Sequence, residues 1–330
     1  MVSSIALRSD RLTVDIAPPG TVYRGSRFDW TGFITQVTLD KRHTFCAPES
    51  LQEGQGSGGI GLCNEFGIDQ PIGYADAKPG DLFPKLGIGL LRRPDGADYS
   101  FGRSYEIAQA FPVRVDVESS GDRATFVTEP VDCRGYAARL TKTVGVRSNV
   151  LEIAYQLDNA GSQPLATIEY CHNFVAIDGH LIGPDYRLRL PYPIQLERLT
   201  PLARQTLPRV ARTLLPDALL DRLADNALKR MTSALDISGS DVRFRAAPQQ
   251  AYYFRPLGYA RTEQPQWELA LLPQGVAMRE HDDFAPCRVA VWGTGHVISA
   301  EVFASIQVPP GGTQRWTRRY EFLSELAGGA

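Results

Sequence analysis

Residues 296–322 read HVISAEVFASIQVPPGGTQRWTRRYEF, and this stretch decides the fold class. Apolar side chains recur at every second position of its first half, which is the period of a β-strand. The Pro-Pro-Gly-Gly turn at 309–312 ends that strand, and a second one follows at 314–322. The stretch therefore predicts two long strands joined by a short turn. The positions of the apolar face are Ile298, Ala300, Val302, Ala304, Ile306 and Val308.

Similar strand patterns recur along the rest of the chain, separated by turn signals and with little helix between them. Short strands at this spacing are typical of antiparallel sandwiches and not of alternating strand–helix units. We therefore predict an all-β protein, a large antiparallel β-super-sandwich that forms a single domain over residues 1–330. The remaining predicted strands are 3–7, 12–16, 32–39, 113–118, 123–129, 136–146, 150–157, 165–174, 242–246, 251–255, 267–272 and 287–292.

Two stretches depart from the strand pattern. Residues 53–85 are rich in Gly, Pro and Asp, which predicts a long ordered loop of the kind that often carries function. Residues 201–236 contain leucines at helical spacing, interrupted by Pro208 and Pro216. We predict a helical insertion there that packs on the sandwich. A helix that binds a partner protein is the alternative.

Composition limits the possible partners and compartments. The formal net charge of -2 argues against nucleic acid or an anionic membrane as a partner. Residues 1–16 have neither the basic nor the apolar part of a secretory signal, so we expect a cytoplasmic protein. The five cysteines form no CxxC pair, which argues against a disulfide framework or a thiolate zinc site. Cys171 adjoins His172, but neighbouring strand residues point to opposite faces, which disfavours a nucleophilic pair.

Two strands carry side chains suited to proton transfer. Residues 166–183 read ATIEYCHNFVAIDGHLIG, and alternation places His172 on one face with Tyr170 and Phe174. A buried structural histidine is one interpretation. The other is a proton donor in a sugar pocket, where aromatic rings pack on the sugar and an imidazole exchanges a proton. Glu301 shares its strand face with Phe303, so it is either a solvated carboxylate or part of the same cleft.

Three segments resemble the aldose 1-epimerase, or galactose mutarotase, superfamily and its bacterial mutarotase-like proteins. The first contains EYCHNF at 169–174, IDGH at 177–180 and YRLRLP at 186–191. The second, 289–322, is similar to the end of the glucose-6-phosphate 1-epimerase branch, with a V-x-W motif, a strand that bears a glutamate, and a closing strand. The third, YRGSRFDWTGFITQV at 23–37, lies where that branch carries a substrate-contacting arginine.

The resemblance implies a galactose mutarotase-like fold and a sugar 1-epimerase activity. It gives His172 the role of general acid at the ring oxygen and Glu301 that of general base at the anomeric hydroxyl. Such a reaction needs two positioned proton-transfer groups. The resemblance implies neither a metal nor another cofactor, and it makes a small-molecule carbohydrate the partner.

One family feature is absent from this sequence. The region of a second family histidine reads GDLFPKLGIGLLRR at 80–93, where Lys85 is the residue that could take its place. Two alternatives to an epimerase therefore stay open: a non-catalytic carbohydrate-binding protein, and a lyase or isomerase that acts on a modified or acidic sugar.

Further side chains are candidates for binding substrate. Arg24 and Arg27 flank Gly25-Ser26, and arginines beside aromatic residues suit a sugar hydroxyl, a carboxylate or a phosphate, or else a surface ion pair. The run His281-Asp282-Asp283 is a weak metal candidate, because consecutive residues in a turn rarely converge on one ion. The predicted substrate-binding residues are Arg27, Arg24, Glu65, Lys85, Tyr170 and His180.

Overall fold

Strands dominate the computed structural model, which describes residues 4–197, 216–259 and 265–325. One α-helix, α1 (Asp217–Met231), and two 3-10 turns, Ile177–Gly179 and Leu272–Gln274, are the helical elements of these residues. The strands of the first half are β1 (Ile5–Arg8), β2 (Leu12–Ala17), β3 (Phe33–Leu39), β4 (His43–Thr44), β5 (Leu62–Phe66), β6 (Leu82–Lys85), β7 (Gly89–Arg92), β8 (Ile107–Ala110), β9 (Val113–Val117), β10 (Arg123–Thr128), β11 (Ala138–Arg147), β12 (Val150–Asn159) and β13 (Leu165–Asn173). Those of the second half are β14 (Tyr186–Arg189), β15 (Gln195–Leu196), β16 (Leu235–Ser238), β17 (Asp241–Phe244), β18 (Tyr252–Phe254), β19 (Pro256–Leu257), β20 (Trp267–Leu271), β21 (Val276–Asp282), β22 (Pro286–Gly293), β23 (Ile298–Val308) and β24 (Thr313–Leu323).

Two large antiparallel sheets form the body of the molecule. The first has nine strands in the order β1-β2-β3-β5-β13-β23-β22-β18, with β4 paired to β3. The second has ten strands in the order β16-β17-β14-β20-β21-β24-β12-β11-β10-β9. Strands β6, β7 and β8 form a small third sheet, and β15 pairs with β19. The predicted all-β, antiparallel super-sandwich is confirmed.

The core forms where alternate side chains of the two large sheets meet. Strand β12 illustrates why: its odd positions from Leu151 to Leu157 are buried, while the residues between them are only partly buried. A side chain of this kind contributes about 1.5–3 kcal/mol on full burial, so one correctly phased strand stabilises the sandwich substantially. The same alternation runs through β11, where Leu140 and Val144 are buried.

The predicted loop at 53–85 is wrong in part, because β5 and β6 lie inside it. All five residues of β5 are buried, and the strand pairs with β3 and β13 near the middle of the nine-stranded sheet. A strand covered on both faces shows no polar–apolar alternation, so its LCNEF sequence carries no periodic signal. Glycine and proline on either side then made the whole segment look irregular.

The helical insertion is only partly described. Helix α1 lies within the predicted range 201–236, whereas residues 198–215 lie outside the described residues. Leu220 and Ala224 of α1 are buried, so one side of the helix packs on the protein. Asp236 belongs to β16, which ends the insertion earlier than predicted. No helix in the described ranges has both the length and the apolar character needed to cross a membrane.

Strand β21 was not predicted, and it corrects the assignment of 281–283 to a turn. His281 and Asp282 are its last two residues, so their side chains point to opposite faces. Asp282 is buried beside Arg318, whereas His281 lies 3.5 Å from Glu321. Among the described residues, no three His, Cys, Asp or Glu side chains are grouped so as to hold a metal ion.

Candidate functional site

The site lies on the face of the nine-stranded sheet that points away from the other sheet. Asn173 shows which face is which, because its Oδ1 accepts a hydrogen bond of 3.0 Å from Tyr320 on β24 of the ten-stranded sheet. Cys171 also belongs to the core between the sheets, where burial raises the pKa of its thiol. The alternate residues Tyr170 and His172 therefore face outward.

Strand pairing brings His172 and Glu301 together. Tyr170 of β13 pairs with Phe303 of β23, and the same register continues to the bridge between Val175 and Ile298. His172 thus lies opposite Glu301, as a cross-strand pair on one face. Nε2 of His172 lies 3.4 Å from Oε1 of Glu301, and each side chain is only 5% exposed.

Both side chains line a cavity of about 460 Å³, a size suited to a small ligand. The cavity mixes aromatic walls with charged groups, the usual composition of a site that binds an amphipathic molecule such as a sugar. Its lining residues are Arg27, Glu49, Ile68, Asp69, Phe101, Tyr170, His172, Tyr253, Arg255, Arg288, Trp292, Glu301 and Phe303.

Aromatic rings fix the orientation of the imidazole. The His172 ring stacks on Phe174 with centroids 3.9 Å apart, and Trp292 meets its edge at 5.3 Å. Phe28 meets it edge-on as well, at 6.0 Å. Nδ1 of His172 is buried and finds no hydrogen-bond partner in the described part of the chain. The ring is therefore held by packing and not by a second polar group.

Burial shifts the proton affinities of the pair in opposite senses. The pKa of His172 lies well below its usual value, first because the ring is desolvated and second because Arg27 is near. Desolvation raises the pKa of Glu301 to about 8, although Ser299 donates a hydrogen bond of 3.1 Å to its carboxylate. In the free site at neutral pH, the imidazole is neutral and Glu301 carries the proton.

A second buried cluster supports the cavity from behind. Glu65 is fully buried and accepts hydrogen bonds from Arg27 Nε at 2.9 Å, Tyr170 Oη at 2.7 Å and Lys85 Nζ at 3.3 Å. Lys85 also donates to Tyr99 Oη at 3.0 Å, and burial lowers its pKa. Because Glu65 holds both Arg27 and Tyr170, it sets the position of two side chains that line the cavity.

The structure brings together some of the predicted site residues and separates others. His172, Glu301, Arg27 and Tyr170 line the cavity, with Glu65 and Lys85 directly behind them. Neither Arg24 nor His180 lines it. The Arg24 side chain is exposed and donates to the carbonyl of Gly20 at 3.1 Å. The exposed His180 ring lies 2.8 Å from the amide of Gln274.

Two arginines that line the cavity, Arg255 and Arg288, were not among the predicted site residues. Alternation along β22 offered a signal for one of them, since Arg288, Ala290 and Trp292 share a face. Arg255 follows the three-residue strand β18, whose place beside β22 has no local signal.

Comparison with known proteins supports the fold of this chain. No family model matches the sequence, and no curated protein matches it. Solved structures do match over nearly the whole chain. A galactose mutarotase-like protein from Clostridium acetobutylicum is 9% identical, with a TM-score of 0.57 and coverage of 97% of this chain and 95% of that one. A galactose mutarotase-like protein from Lactobacillus casei is 12% identical, with a TM-score of 0.54 and coverage of 97% and 100%.

A third similar structure is the aldose epimerase homologue from C. elegans. It is 10% identical, with a TM-score of 0.52 and coverage of 98% of this chain and 99% of that one. The chain therefore has the galactose mutarotase-like fold, as the resemblance predicted. At this level of identity the likeness concerns the fold, and function has to be argued from the site.

Proposed function

We propose that this protein is a cofactor-independent sugar 1-epimerase in which His172 and Glu301 transfer the protons. The observation that carries the proposal is the placement of two buried proton-transfer groups 3.4 Å apart in an aromatic-walled cavity of about 460 Å³. General acid–base catalysis requires such groups within reach of the same substrate. The resemblance of the segments around both residues to aldose 1-epimerases points to the same chemistry.

The reaction needs one proton removed and one delivered. A base takes the proton from the anomeric hydroxyl while an acid protonates the ring oxygen, the C1–O5 bond breaks, and an aldehyde forms at C1. Rotation about C1–C2 presents the other face of the carbonyl. The ring then closes, and both protons return, so that the anomeric centre is inverted without net gain or loss of atoms. Two positioned groups that share one transferable proton can serve both directions.

In the free site the proton lies on Glu301 and not on His172. This favours exchanging the acid and base roles that the resemblance implies for the two residues. The resemblance makes His172 the acid, yet burial lowers the pKa of His172 and raises that of Glu301 to about 8. We therefore assign the ring-opening proton to the Glu301 carboxylic acid and let neutral His172 accept the anomeric proton. Ring closure runs the same transfers in reverse. Both assignments place one proton on the pair, so they share the same dependence on its total charge.

The walls of the cavity supply the binding. Trp292 presents apolar surface to the C–H groups of a sugar ring, and Arg27 offers donors for its hydroxyl groups. Glu65 holds Arg27 through its buried hydrogen bond of 2.9 Å, so little side-chain freedom remains to be lost when the substrate binds.

A non-catalytic sugar-binding protein is the second candidate. The observation that favours it is the position of Lys85, whose ammonium group lies behind Glu65 and does not line the cavity. Lys85 therefore cannot replace the second family histidine as a direct donor to the substrate in this conformation. A catalytic function rests on His172 and Glu301 alone.

Polarimetry of freshly dissolved sugars and sugar phosphates separates the two candidates. We expect the wild-type protein to accelerate mutarotation of at least one of them, and the Glu301→Gln and His172→Asn variants to lose this acceleration while they still bind it. Binding without acceleration by the wild-type protein would favour the second candidate. Equal rates for the wild-type protein and both variants would rule out the assigned pair.

A further inference from the structure

One end of the cavity carries two guanidinium groups that the proposed chemistry does not use. Arg288 pairs with Phe303 across β22 and β23, and Ala290 pairs with Glu301. Arg288 therefore lies diagonally across from Glu301, at the usual diagonal separation of about 7–8 Å between paired strands. Arg255 lines the same cavity.

Arg288 is held in place by neighbouring side chains, but not every donor of its guanidinium has a hydrogen-bond partner within the described residues. Its guanidinium lies over the Phe303 ring, with Cζ 4.0 Å from the ring centroid. Nη1 lies 3.2 and 3.1 Å from the two carboxylate oxygens of Asp69, whose side chain is 63% exposed. An exposed ion pair of this kind contributes about 0–1 kcal/mol and is readily exchanged. Nε of Arg288 is buried and has no hydrogen-bond partner within the described residues.

Arg255 is held in a comparable way. Its Nε donates a hydrogen bond of 2.8 Å to Tyr253 Oη, which fixes one edge of the guanidinium. In the described part of the chain it pairs with the carboxylate of Glu197, at 3.5 Å, and the Glu197 side chain is 40% exposed. Both arginines are thus positioned by aromatic residues, and the carboxylates that pair with them within residues 4–197, 216–259 and 265–325 are solvent-exposed.

Arg27, the third arginine of the cavity, is different. Its Nε donates to Glu65, a fully buried carboxylate that is part of the scaffold. A ligand would have to break this buried pair in order to use the whole charge of Arg27, which is costly. The positive charge available to a ligand is therefore concentrated at Arg255 and Arg288.

From this placement we propose that the substrate is an anionic sugar whose carboxylate or phosphate is bound by Arg288 and Arg255 while its anomeric carbon lies at His172 and Glu301. The inference rests on the proposed epimerase function and narrows its substrate class. A guanidinium presents a planar fork of donors that matches two oxygens of either oxyanion. A neutral sugar offers the Arg288 guanidinium no charged acceptor, whereas an oxyanion supplies one that competes with the exposed Asp69 carboxylate.

Isothermal titration calorimetry tests the inference without relying on catalysis. The probes are a hexuronic acid, a hexose 6-phosphate and the corresponding neutral hexose, each titrated into the wild-type protein. We expect one of the two anionic sugars to bind about tenfold or more tightly than the neutral hexose, since hydrogen bonds to charged groups are the strong ones. This preference should shrink as salt is added. Which of the two anionic probes binds more tightly shows whether the site prefers a carboxylate or a phosphate.

Four variants sharpen the test. Arg288→Gln and Arg255→Gln should each reduce the affinity for the anionic sugar about tenfold and leave that for the neutral hexose unchanged. Arg319→Gln is the matched control, because Arg319 pairs with Glu152 away from the cavity and is 45% exposed. Asp69→Asn should tighten anion binding, since it removes the competing carboxylate from Arg288.

The two proposals fail in distinguishable ways. Arginine-dependent binding of an anionic sugar without faster mutarotation would support this inference and contradict the epimerase. Equal binding of neutral and anionic sugars, or binding of the anionic sugar that survives both arginine substitutions, would overturn the inference even if mutarotation is accelerated. A protein that binds none of the three probes would overturn it as well.

Discussion

Strand β13 buries titratable groups on both of its faces, and the two faces behave differently. Between the sheets, Glu169 accepts hydrogen bonds from Arg318 at 2.7 Å, Trp316 at 3.1 Å and Asn64 at 2.6 Å. On the opposite face, His172 and Glu301 line the cavity. The first face is a closed ion cluster, whereas the second opens onto space for a ligand.

A shifted pKa does not by itself distinguish the face that lines the cavity from the face between the sheets, because both carry groups with shifted pKa values. Burial raises the pKa of Glu280 and of Asp282 in the inter-sheet cluster, as it raises that of Glu301 beside the cavity. Arg318 lies 2.8 Å from Glu280 and 3.7 Å from Asp282, so the cluster is organised around one cation. A perturbed pKa marks a functional site only where a reacting atom can approach. The cavity makes that difference here.

The largest effect is expected at the cation of the closed cluster. Arg318→Met removes the only positive charge that the described ion pairs place next to Glu169, Glu280 and Asp282. Removing one partner of a buried ionic cluster costs about 3–5 kcal/mol, because uncompensated charge stays buried. We expect the variant to be insoluble, or to lose stability by this amount in urea denaturation. Wild-type stability would show that the cluster is not essential to the fold.

Glu301→Gln should have the opposite effect on stability and a large effect on catalysis. Loss of a positioned acid–base group lowers the rate of mutarotation about a hundredfold or more. The folded protein holds Glu301 protonated at pH 7, because its pKa rises from 4.5 to about 8, whereas the unfolded chain ionises it. Glutamine avoids this penalty, so the free energy of unfolding should rise on the order of 3 kcal/mol at pH 7.

Denaturation of the wild type and of Glu301→Gln at several pH values provides the check. The stabilising effect of the substitution should be absent below about pH 4, where both states of the wild type hold the proton, and should grow until the folded carboxyl ionises near pH 8. A Glu301→Gln variant that is less stable than the wild type at pH 7 would contradict the desolvation of this carboxyl.

The rate of mutarotation should fall at alkaline pH. Above pH 8 the pair loses its one transferable proton, because Glu301 has a pKa of about 8 and His172 is already neutral. We expect the catalysed rate to drop about tenfold per pH unit beyond that point, as for a single essential acid. Polarimetry between pH 6 and pH 10, corrected for the uncatalysed reaction, measures it. A flat profile over this range would exclude Glu301 as a member of the acid–base pair.

The smallest effect is expected at the neighbour of Arg318. Arg319 pairs with Glu152 at 2.7 Å, but the two side chains are 45% and 46% exposed. An exposed pair contributes about 0.2–1 kcal/mol, so Arg319→Gln should shift the urea midpoint only slightly and leave mutarotation unchanged. A loss as large as that of Arg318→Met would mean that burial does not explain the difference between these two arginines.

The sequence by itself determined the fold class and the faces of the two critical strands. Alternation placed His172 with Tyr170 and Phe174, and Glu301 with Phe303, because side-chain direction in a strand follows from the local backbone. Two of the three segments that resemble aldose 1-epimerases pointed to the same two residues. Neither argument needed to know which strands are neighbours.

Only the tertiary structure decided which strands meet. The pairing of β13 with β23 brings His172 to within 3.4 Å of Glu301, and the pairing of β22 with β18 places Arg288 and Arg255 at one end of the same cavity. The tertiary structure also places Lys85 against Glu65, outside the lining of the cavity, and inserts β5 into the middle of the nine-stranded sheet. Strand order depends on how distant segments bury their faces together, and that information is not local.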